Sequence, residues 1–430
     1  MAFKIFLVCS FFLLGRPQDV LTFLQPMRPA LLLTGLSLVA LVFSARPQEI
    51  SSALKTPESK RYLLFFFIMI LGIPFAYHKR LALEGVLLGY VVNVLYFVLL
   101  VTQVTTLQRL KSLAWVICLC AAMYSVFGLL LQGEGSGGGR FQVVGDAFDP
   151  NDTAYVLLSL FPLCLYFIRF DEGMLKKLVA IAAVCGAVAT ILLTGSRGGL
   201  LAFGAVLLIL LLTKTGGVGK APKVLLALVL AAIWLLMKDE INVERYMALA
   251  DISSDYNVSA KGGRIALWQA AIDLSLNNPV FGVGVDCFAF ANHLARERVG
   301  DTFLMWQVPH NSFLQIAAEV GLVGFAVFVL INLRSVRTFI SVSRMQSQPP
   351  SPGTAEIRAL SGLMLLGFVG LLVSGFFLSQ GYSIYFTLYF ALAAVIGRLH
   401  AGSLAAAESP RQSAGKPPSP GWGNPGKALP

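Results

Sequence analysis

Charged side chains are scarce in this chain of 430 residues. They make up 13% of it, whereas hydrophobic residues make up 57%, and an ordinary soluble domain carries roughly 25% charged residues. The chain also lacks a repeat of fixed period, a GxxxxGK[ST] phosphate loop and a convincing cleavage site for a signal peptide. These deficits exclude an ordinary soluble domain and a P-loop nucleotide-binding protein, and they favour a protein that resides in a bilayer.

Cysteine is rare as well, and the six that occur form no motif. Five of them lie inside apolar runs, and Cys287 stands alone in a loop. Neither a disulfide framework nor a metal-ligand spacing follows from this distribution.

Apolar runs recur along almost the whole chain, separated by short charged or Gly/Pro-rich joints. Because about 20 apolar residues span a bilayer as a helix, we predict an all-α polytopic membrane protein with about 12 transmembrane helices. The predicted spans are residues 2–14, 29–44, 62–77, 85–105, 112–131, 153–168, 178–193, 200–212, 224–237, 313–333, 360–378 and 384–396. The first of them is predicted to be a retained helix.

The distribution of charge predicts the orientation of the bundle. With the amino terminus in the cytoplasm, 21 of the 33 basic residues fall on the inner side, as cytoplasmic loops prefer. The joint 238–306 carries six basic and nine acidic residues in a chain of net charge +11, so we place it outside. The positive charge is spread over many short joints and forms no basic stripe, which argues against a nucleic-acid partner.

These observations divide the chain into four parts. Residues 1–237 carry helices one to nine, 238–309 form a periplasmic segment with an amphipathic helix, and 310–398 carry the last three helices. Residues 399–430 end in a Pro-, Gly- and Ser-rich cytoplasmic tail that is predicted to be disordered. Both termini are therefore expected in the cytoplasm.

Polar motifs lie at the predicted outer ends of the spans, which suggests chemistry at the outer membrane–water interface. The first is TGSRGGL, residues 194–200. Gly195 can end one helix in a left-handed conformation and Ser196 can cap the next, whose first turn then holds Arg197. With Gly198 giving access to the backbone, this helix start can bind a phosphate. Alternatively, the arginine contacts lipid headgroups.

The second motif, GGRIALWQAAIDLSLNNPVFGVG, covers residues 262–284. Ile265, Trp268 and Ile272 recur at helical spacing, which predicts an amphipathic helix on the bundle or in the interface, ended by Asn277 and the residues after it. Arg264 falls in its first turn. It is either a second phosphate ligand or a solvated cation.

The third motif is PHNSFLQIAAEVG, residues 309–321. Ser312 and Gln315 have the form of a capping box, so the helix is expected to begin at Ser312 with His310 just outside its positive end. That position favours a neutral imidazole, which can accept a proton. A structural histidine at the interface is the alternative. Glu319, on the same stripe, is either functional or a protonated acid bonded to a neighbouring helix.

Together, the three motifs resemble the O-antigen ligase and polymerase family of bacterial envelope glycosyltransferases, over about residues 190–325. The resemblance implies a glycosyltransferase-C-like architecture in the bacterial inner membrane. It also implies a donor glycan on undecaprenyl diphosphate and, for a ligase, the lipid A core of lipopolysaccharide as the acceptor, both surrounded by membrane lipids. Arg197, Arg264 and His310 match the arginines and the histidine of the family motifs.

The implied reaction is an inverting transfer on the periplasmic face. The resemblance assigns catalysis to His310, Arg197 and Arg264 and diphosphate binding to Arg197, Arg264, Ser196 and Gly198, with Asn311, Gln315 and Glu319 as supporting residues. Many glycosyltransferases neutralise the diphosphate with a metal held by a D-x-D pair. No D-x-D occurs in this chain, so we predict a reaction without metal or cofactor, although Asp149, Asp152 and Asp286 remain conceivable outer ligands.

Two alternatives remain open at this point. A repeat-unit polymerase shares the donor, the carrier and the three motifs with a ligase. The absence of a large appended soluble domain favours the ligase, whose acceptor is itself a membrane lipid. A transporter of lipid or polysaccharide, for which twelve spans would be ordinary, is the alternative from another class.

Overall fold

A computed structural model describes residues 1–130, 149–171, 173–212, 263–300, 306–345 and 352–413, together with a few single residues between 223 and 246. Across these ranges the chain is helical and contains no strand. The predicted span 224–237 and the joint 131–148 lie mainly or wholly outside the described residues, as does the tail from residue 414 onward.

The helices of the amino-terminal half alternate with short turns. They are α1 (Ala2–Gly15), α2 (Pro17–Val20), a 3₁₀ turn (Thr22–Met27), α3 (Pro29–Ser44), α4 (Pro47–Leu54), α5 (Pro57–Gly72), a 3₁₀ turn (Ile73–Phe75), α6 (Lys79–Leu83), a π-helical segment (Glu84–Tyr90), α7 (Val91–Gln103), α8 (Leu107–Leu130), α9 (Pro150–Phe170), α10 (Met174–Leu193) and α11 (Arg197–Leu212). From Lys79 to Gln103 the helical segments are continuous.

The second half contains two shorter helices and then three long ones. They are α12 (Arg264–Asn277), α13 (Phe288–Arg298), α14 (Ser312–Ser343), α15 (Pro352–Gly375) and α16 (Ile384–Ser413). Several of these extend past the predicted spans, because a helix continues into the polar joint wherever its neighbours still cover it. In α14, for example, Arg334 Nε donates to the buried carboxylate of Glu58 at 2.9 Å.

Seven of the described helices are long and apolar enough to cross a membrane, or eight if α3 and α4, bent by 118°, form one span. Helices α1 and α11 are apolar but shorter. The protein is therefore a multi-pass helical membrane protein. Twelve spans and the long periplasmic segment stay predictions.

Helix α9 lies at the centre of the bundle. It packs against α8, α10 and α15, and 83% of its most apolar 18-residue window is buried. Helix α14 packs against α5, α15 and α16. One contiguous core, mainly of Leu, Phe, Val and Ala with several buried tyrosines, joins these helices.

The contacts between helix ends agree with the predicted topology, in which successive spans end alternately on the inner and the outer side. At predicted inner ends, Lys111 Nζ pairs with Glu356 Oε2 at 2.8 Å. At predicted outer ends, the Tyr385 hydroxyl donates to the carbonyl of Leu14 at 2.7 Å. The two ends of the bundle are thus distinct, while the side that faces the periplasm stays a prediction.

Candidate active site

Two helices that begin at the predicted outer end, α9 and α11, are tied together by polar side chains. Asp149 caps α9 by accepting from the N–H groups of Asn151 at 2.6 Å and Asp152 at 2.9 Å. The buried Ser196 donates from Oγ to Asn151 Oδ1 at 2.8 Å and accepts from the N–H of Gly199 at 3.1 Å. The starts of α9 and α11 therefore share one hydrogen-bonded cluster, and Arg197 is the first residue of α11.

The local prediction for TGSRGG is confirmed. Gly195 has φ +59°, in the left-handed region that suits glycine at a helix end, and Ser196 caps α11 with its hydroxyl. A side-chain atom at Gly198 would lie 2.9 Å from Cβ of Phe377. The missing side chain at Gly198 is thus required for close packing against the loop that follows α15, whereas its proposed contact with a phosphate stays a prediction.

Helix α12 begins at Arg264, directly after its cap Gly263, and ends at Asn277, as predicted. The stripe that packs on the bundle is Leu267, Ala271 and Leu274, whereas Ile265 and Ile272 are about half exposed. The predicted apolar face therefore does not lie buried on the bundle, and its alternative place in the membrane interface stays a prediction. Trp268, in the second turn of α12, contacts the ring of Phe376 edge-on, with ring centroids 5.4 Å apart. In an apolar helix two different stripes of side chains are hydrophobic enough to be buried. Packing against α14 determines which of them is buried in α12.

His310 lies one residue before the cap of α14, in an unusual backbone conformation. Its φ is +50°, a left-handed value that histidine adopts more often than most side chains, and its N–H donates to Ser379 Oγ at 2.8 Å. Burial and the positive charge of Arg264 lower the pKa of His310 below its ordinary value, and the negative charge of Asp149 opposes them. Arg264 and Asp149 are thus close enough to act on this imidazole, which is neutral at neutral pH.

The start of α14 differs from the prediction in one respect. The helix begins at Ser312, as expected, but the Ser312–Gln315 capping box is wrong, because Asn311 is the cap and accepts from the N–H groups of Phe313 and Leu314, both at 3.0 Å. Since Asn311 satisfies these donors, Ser312 and Gln315 are available for other contacts.

Those contacts are with residues 376–383, the loop between α15 and α16, which was not predicted to be part of the site. Ser312 Oγ donates to the carbonyl of Leu378 at 2.7 Å and accepts from the N–H of Gln380 at 3.0 Å. Gln315 Oε1 accepts from the N–H of Gly381 at 3.2 Å, and Gln380 Nε2 donates to Asp152 Oδ1 at 2.8 Å.

The loop 376–383 therefore joins every part of the candidate site. Through its phenylalanines it contacts Gly198 and Trp268, and through its polar groups it contacts His310, Ser312 and Asp152. Its one visible signal in the sequence is the polar stretch SQGYS between two apolar runs. That stretch alone does not say which helices it touches.

Glu319 is buried, with 2% of its surface exposed, and Oε1 accepts from the N–H of Phe288 at 3.1 Å. It is thus bonded to the start of a neighbouring helix, as one of the two sequence-based alternatives proposed; its protonation stays a prediction. Two residues later the α14 backbone leaves the helical conformation at Gly321, where φ is +78° and ψ is 172°.

The break at Gly321 is filled by the backbone of residues 279–284. The N–H groups of Val283 and Gly284 donate to the carbonyls of Ala318 and Glu319 at 2.8 and 3.0 Å, and the N–H of Leu322 donates to the carbonyl of Pro279 at 2.7 Å. Non-helical backbone at such a place is tolerated because the neighbouring segment satisfies its polar groups. The end of α12 is in this way fixed against α14.

Of the three aspartates considered as outer ligands, Asp149 and Asp152 lie in the cluster at the start of α9, and Asp286 lies against Gly85 of the π-helical segment. In the parts of the chain that the structure covers, no three His, Cys, Asp or Glu side chains form a group that could hold a metal ion. All six cysteines are free thiols. The metal-independent reaction stays a prediction.

The sequence was also compared with known proteins. Residues 180–329 match the model of a family described as O-antigen ligase, whereas no curated protein matches the chain. The matched segment contains Arg197, Arg264 and His310. The family covers O-antigen ligases and related polymerases, which are glycosyltransferase-like membrane enzymes. Over this segment, about a third of its length, the chain is similar to the O-antigen ligase family.

Proposed function

We propose that this protein is an O-antigen ligase that transfers a glycan from undecaprenyl diphosphate to the lipid A core of lipopolysaccharide at the periplasmic face of the inner membrane. The observation that carries the proposal is the position of His310. It is partly buried, and the charges of Arg264 and Asp149 act on it from the starts of two other helices. A neutral imidazole beside an arginine suits a reaction that pairs an anionic leaving group with proton removal.

In the proposed mechanism Arg197 and Arg264 bind the donor diphosphate, with the start of α11 contributing the N–H groups and positive dipole of a helix end. As the bond between the anomeric carbon and the diphosphate oxygen breaks, its electron pair passes to the diphosphate. The two guanidinium groups offset this developing charge more strongly in the transition state than in the ground state.

His310 accepts the proton of the attacking hydroxyl. The acceptor oxygen forms the new bond to the anomeric carbon from the face opposite the diphosphate, which inverts the configuration there, and the proton passes from the imidazole to solvent. The carrier diphosphate is the leaving group, and Arg197 and Arg264 bind it until it dissociates. Because no D-x-D pair is available to bind a metal, we expect the rate to be unchanged in excess chelator; loss of activity that a divalent ion restores would contradict this.

Residues 376–383 contact several of the helix starts that carry the proposed catalytic residues. Ser379 holds the backbone of His310, and Ser312, Gln315 and Asp152 anchor the same loop to α14 and α9. We infer that the loop fixes the distance between the imidazole and the arginine-bearing helix starts, on which an in-line displacement depends.

Lipopolysaccharide from a strain in which this chain is deleted tests the proposal on a gel. Loss of a ligase leaves core with no O-antigen, and expression of the wild-type chain restores the ladder. Core that carries a single repeat unit would instead identify a polymerase. Purified protein that moves the carrier-linked glycan across a vesicle membrane without forming a glycosidic bond would identify a transporter.

A further inference from the structure

A polar cavity lies at the other end of the bundle, between the start of α5 and the carboxyl-terminal parts of α14 and α16. Its volume is about 280 Å³, near the lower limit for a small-ligand pocket. Arg334, which lines it, lies on the same helix as Ser312, about 30 Å further along at 1.5 Å per residue. None of the residues assigned to the proposed glycosyl transfer lines this cavity.

The charged residues of the cavity lie at the boundary of the predicted membrane spans. Glu58 precedes the first residue of its span, whereas Arg334 and Arg398 come just after the last residues of theirs. In the predicted orientation these are the cytoplasmic ends of three helices. The cavity is thus at the depth of the lipid headgroups in the leaflet opposite the candidate active site.

Two of these charges balance each other. The carboxylate of Glu58 is buried and accepts from Arg334 Nε at 2.9 Å and from Thr338 Oγ1 at 2.8 Å. Among the described residues Nε is the only nitrogen of Arg334 with a hydrogen-bond partner, and the side chain is 44% exposed. Its two terminal nitrogens therefore remain accessible to a ligand.

The third charge, that of Arg398, has no balancing carboxylate in the parts of the chain that the structure describes. This guanidinium is partly buried, and its polar partners are the carbonyls of Val101 and Val104 at the end of α7. Carbonyl groups carry only partial negative charge, and His400, which also lines the cavity, adds none. Since a charge that is removed from water is costly without an opposite charge, the cavity favours an anion.

The surroundings suit an anion that carries acyl chains. Leu330 lies one turn before Arg334 on the same face of α14, and Leu64 lies on α5, which packs against α14; both leucines are about half exposed. Arg61 donates to the carbonyl of the lining residue Pro57 at 3.0 Å and adds positive charge at the edge. A phospholipid can contact the arginines and the leucines together, whereas a free phosphate would contact only the arginines.

We propose that this cavity binds the phosphate headgroup of an anionic phospholipid from the leaflet opposite the candidate active site. A headgroup with one net negative charge, such as phosphatidylglycerol, balances Arg398, whereas a zwitterionic headgroup brings a cation of its own. Guanidinium groups also match the oxygens of a phosphate in geometry, and basic pockets between transmembrane helices bind lipid headgroups in this way. The inference does not depend on the proposed glycosyl transfer.

Native mass spectrometry of the full chain tests the proposal. Lipid-free protein in detergent is mixed with equal amounts of phosphatidylglycerol and phosphatidylcholine. We expect one molecule of phosphatidylglycerol to bind about 5-fold more tightly than phosphatidylcholine, the effect of one unbalanced charge. Equal retention of the two lipids would overturn the proposal. Binding of inorganic phosphate without a preference between the lipids would identify a site for a free anion and would also overturn it.

An arginine variant with a matched control tests the role of charge. Arg398→Gln removes the unbalanced positive charge, so phosphatidylglycerol should bind about 10-fold more weakly, as when one charge-assisted hydrogen bond is lost. Arg358→Gln is the control, because Arg358 also lies at the predicted inner end and donates to a backbone carbonyl, that of Ser343 at 3.4 Å, but does not line the cavity. The control should bind the lipid as the wild type does.

A variant that fills the cavity tests the location without changing any charge. A Cβ at Gly397 would meet only the methyl group of Thr338, at 3.4 Å, and both residues line the cavity, so leucine at this position should occupy the space of the headgroup. Gly402→Leu is the control, since a Cβ there meets nothing within 4 Å.

Thermal stability separates a lost site from a damaged fold. Gly397→Leu leaves the hydrogen bonds of Glu58 and Arg398 in place, so its Tm without lipid should equal that of the wild type. The rise in Tm that phosphatidylglycerol gives the wild type and Gly402→Leu should be absent in Gly397→Leu, because only a ligand that binds the folded state stabilises it. Wild-type affinity for phosphatidylglycerol in both Arg398→Gln and Gly397→Leu would refute the assignment of the site.

Discussion

Replacement of His310 by asparagine tests the proposed base while leaving the fold intact. Asparagine adopts the left-handed region readily, so the backbone at φ +50° and the 2.8 Å bond from its N–H to Ser379 are kept. Alanine at this position would add about 1–2 kcal/mol of backbone strain. A lower rate in the alanine variant could then result from lost stability as well as from lost catalysis. What the asparagine variant loses is the proton acceptor.

The magnitude follows from what a positioned base contributes. Loss of general-base catalysis lowers rates by about 10²- to 10⁴-fold, or about 3–5 kcal/mol of activation free energy. The assay is single-turnover transfer by purified protein in nanodiscs, with lipid-linked donor and core acceptor at saturating concentrations. Because the arginines still bind the diphosphate, we expect donor affinity to change little.

Two further variants complete this experiment. His293→Asn is the control: its imidazole stacks on Trp306 with centroids 4.4 Å apart, away from the cluster, and we expect a rate within about 2-fold of wild type, as for a substitution that does not contact the transition state. His310→Gly should recover activity with added imidazole. A His310→Asn protein that keeps more than about a tenth of the wild-type rate would refute the assignment of a general base.

The remaining predictions concern charge, the helix start and the broken helix. Asp149→Asn keeps the cap of α9 but removes a negative charge that raises the pKa of His310, so the acid limb of the kcat/KM–pH profile should move to lower pH; a shift to higher pH would contradict the assignment. Asn311→Ala removes the acceptor of two N–H groups at 3.0 Å and should lower the free energy of unfolding by about 1 kcal/mol, whereas Asn311→Ser should restore most of it, both measured by denaturation in detergent. Gly321→Ala should destabilise the protein by more than about 2 kcal/mol, because its φ is +78° and its new Cβ would lie 2.5 Å from a carbonyl oxygen; Gly204→Ala, with nothing within 4 Å, is the control and should be neutral or stabilising.

Local features of the fold were predictable because they depend on residues that are neighbours in the chain. The left-handed Gly195, the cap at Ser196 and the end of α12 at Asn277 follow from backbone geometry and side-chain hydrogen bonding over one helical turn. Helix α3 begins and ends at the predicted residues. The apolar runs likewise predicted that the protein is a membrane bundle.

Features that depend on distant residues were not predictable. Nothing within one helical turn of Asn311 indicates that it, and not Ser312, caps α14, since both side chains can cap and the contact of Ser312 with Leu378 decides. The break at Gly321 requires the backbone of residues 279–284 as its partner. In a chain this apolar, hydrophobic periodicity barely distinguishes the stripe with Ile265 from the stripe with Leu267.

The candidate site was predicted in part for the same reason. The three motifs supplied Arg197, Arg264 and His310, and the structure brings Arg264 within electrostatic reach of His310. Sequence reasoning missed the loop 376–383 entirely, because its role consists of contacts with four other helices.

The charges around His310 also couple donor binding to proton transfer. In the free protein the positive charge of Arg264 lowers the pKa of His310. A bound diphosphate offsets that charge, so the pKa of the imidazole should rise once the donor is in place, and the histidine becomes a stronger base at the moment when the acceptor hydroxyl needs one. Because kcat/KM reports the free enzyme and kcat reports the substrate complex, the acid limb of kcat should lie at higher pH than that of kcat/KM. If the acid limbs of kcat and kcat/KM lie at the same pH, the diphosphate does not bind at Arg264.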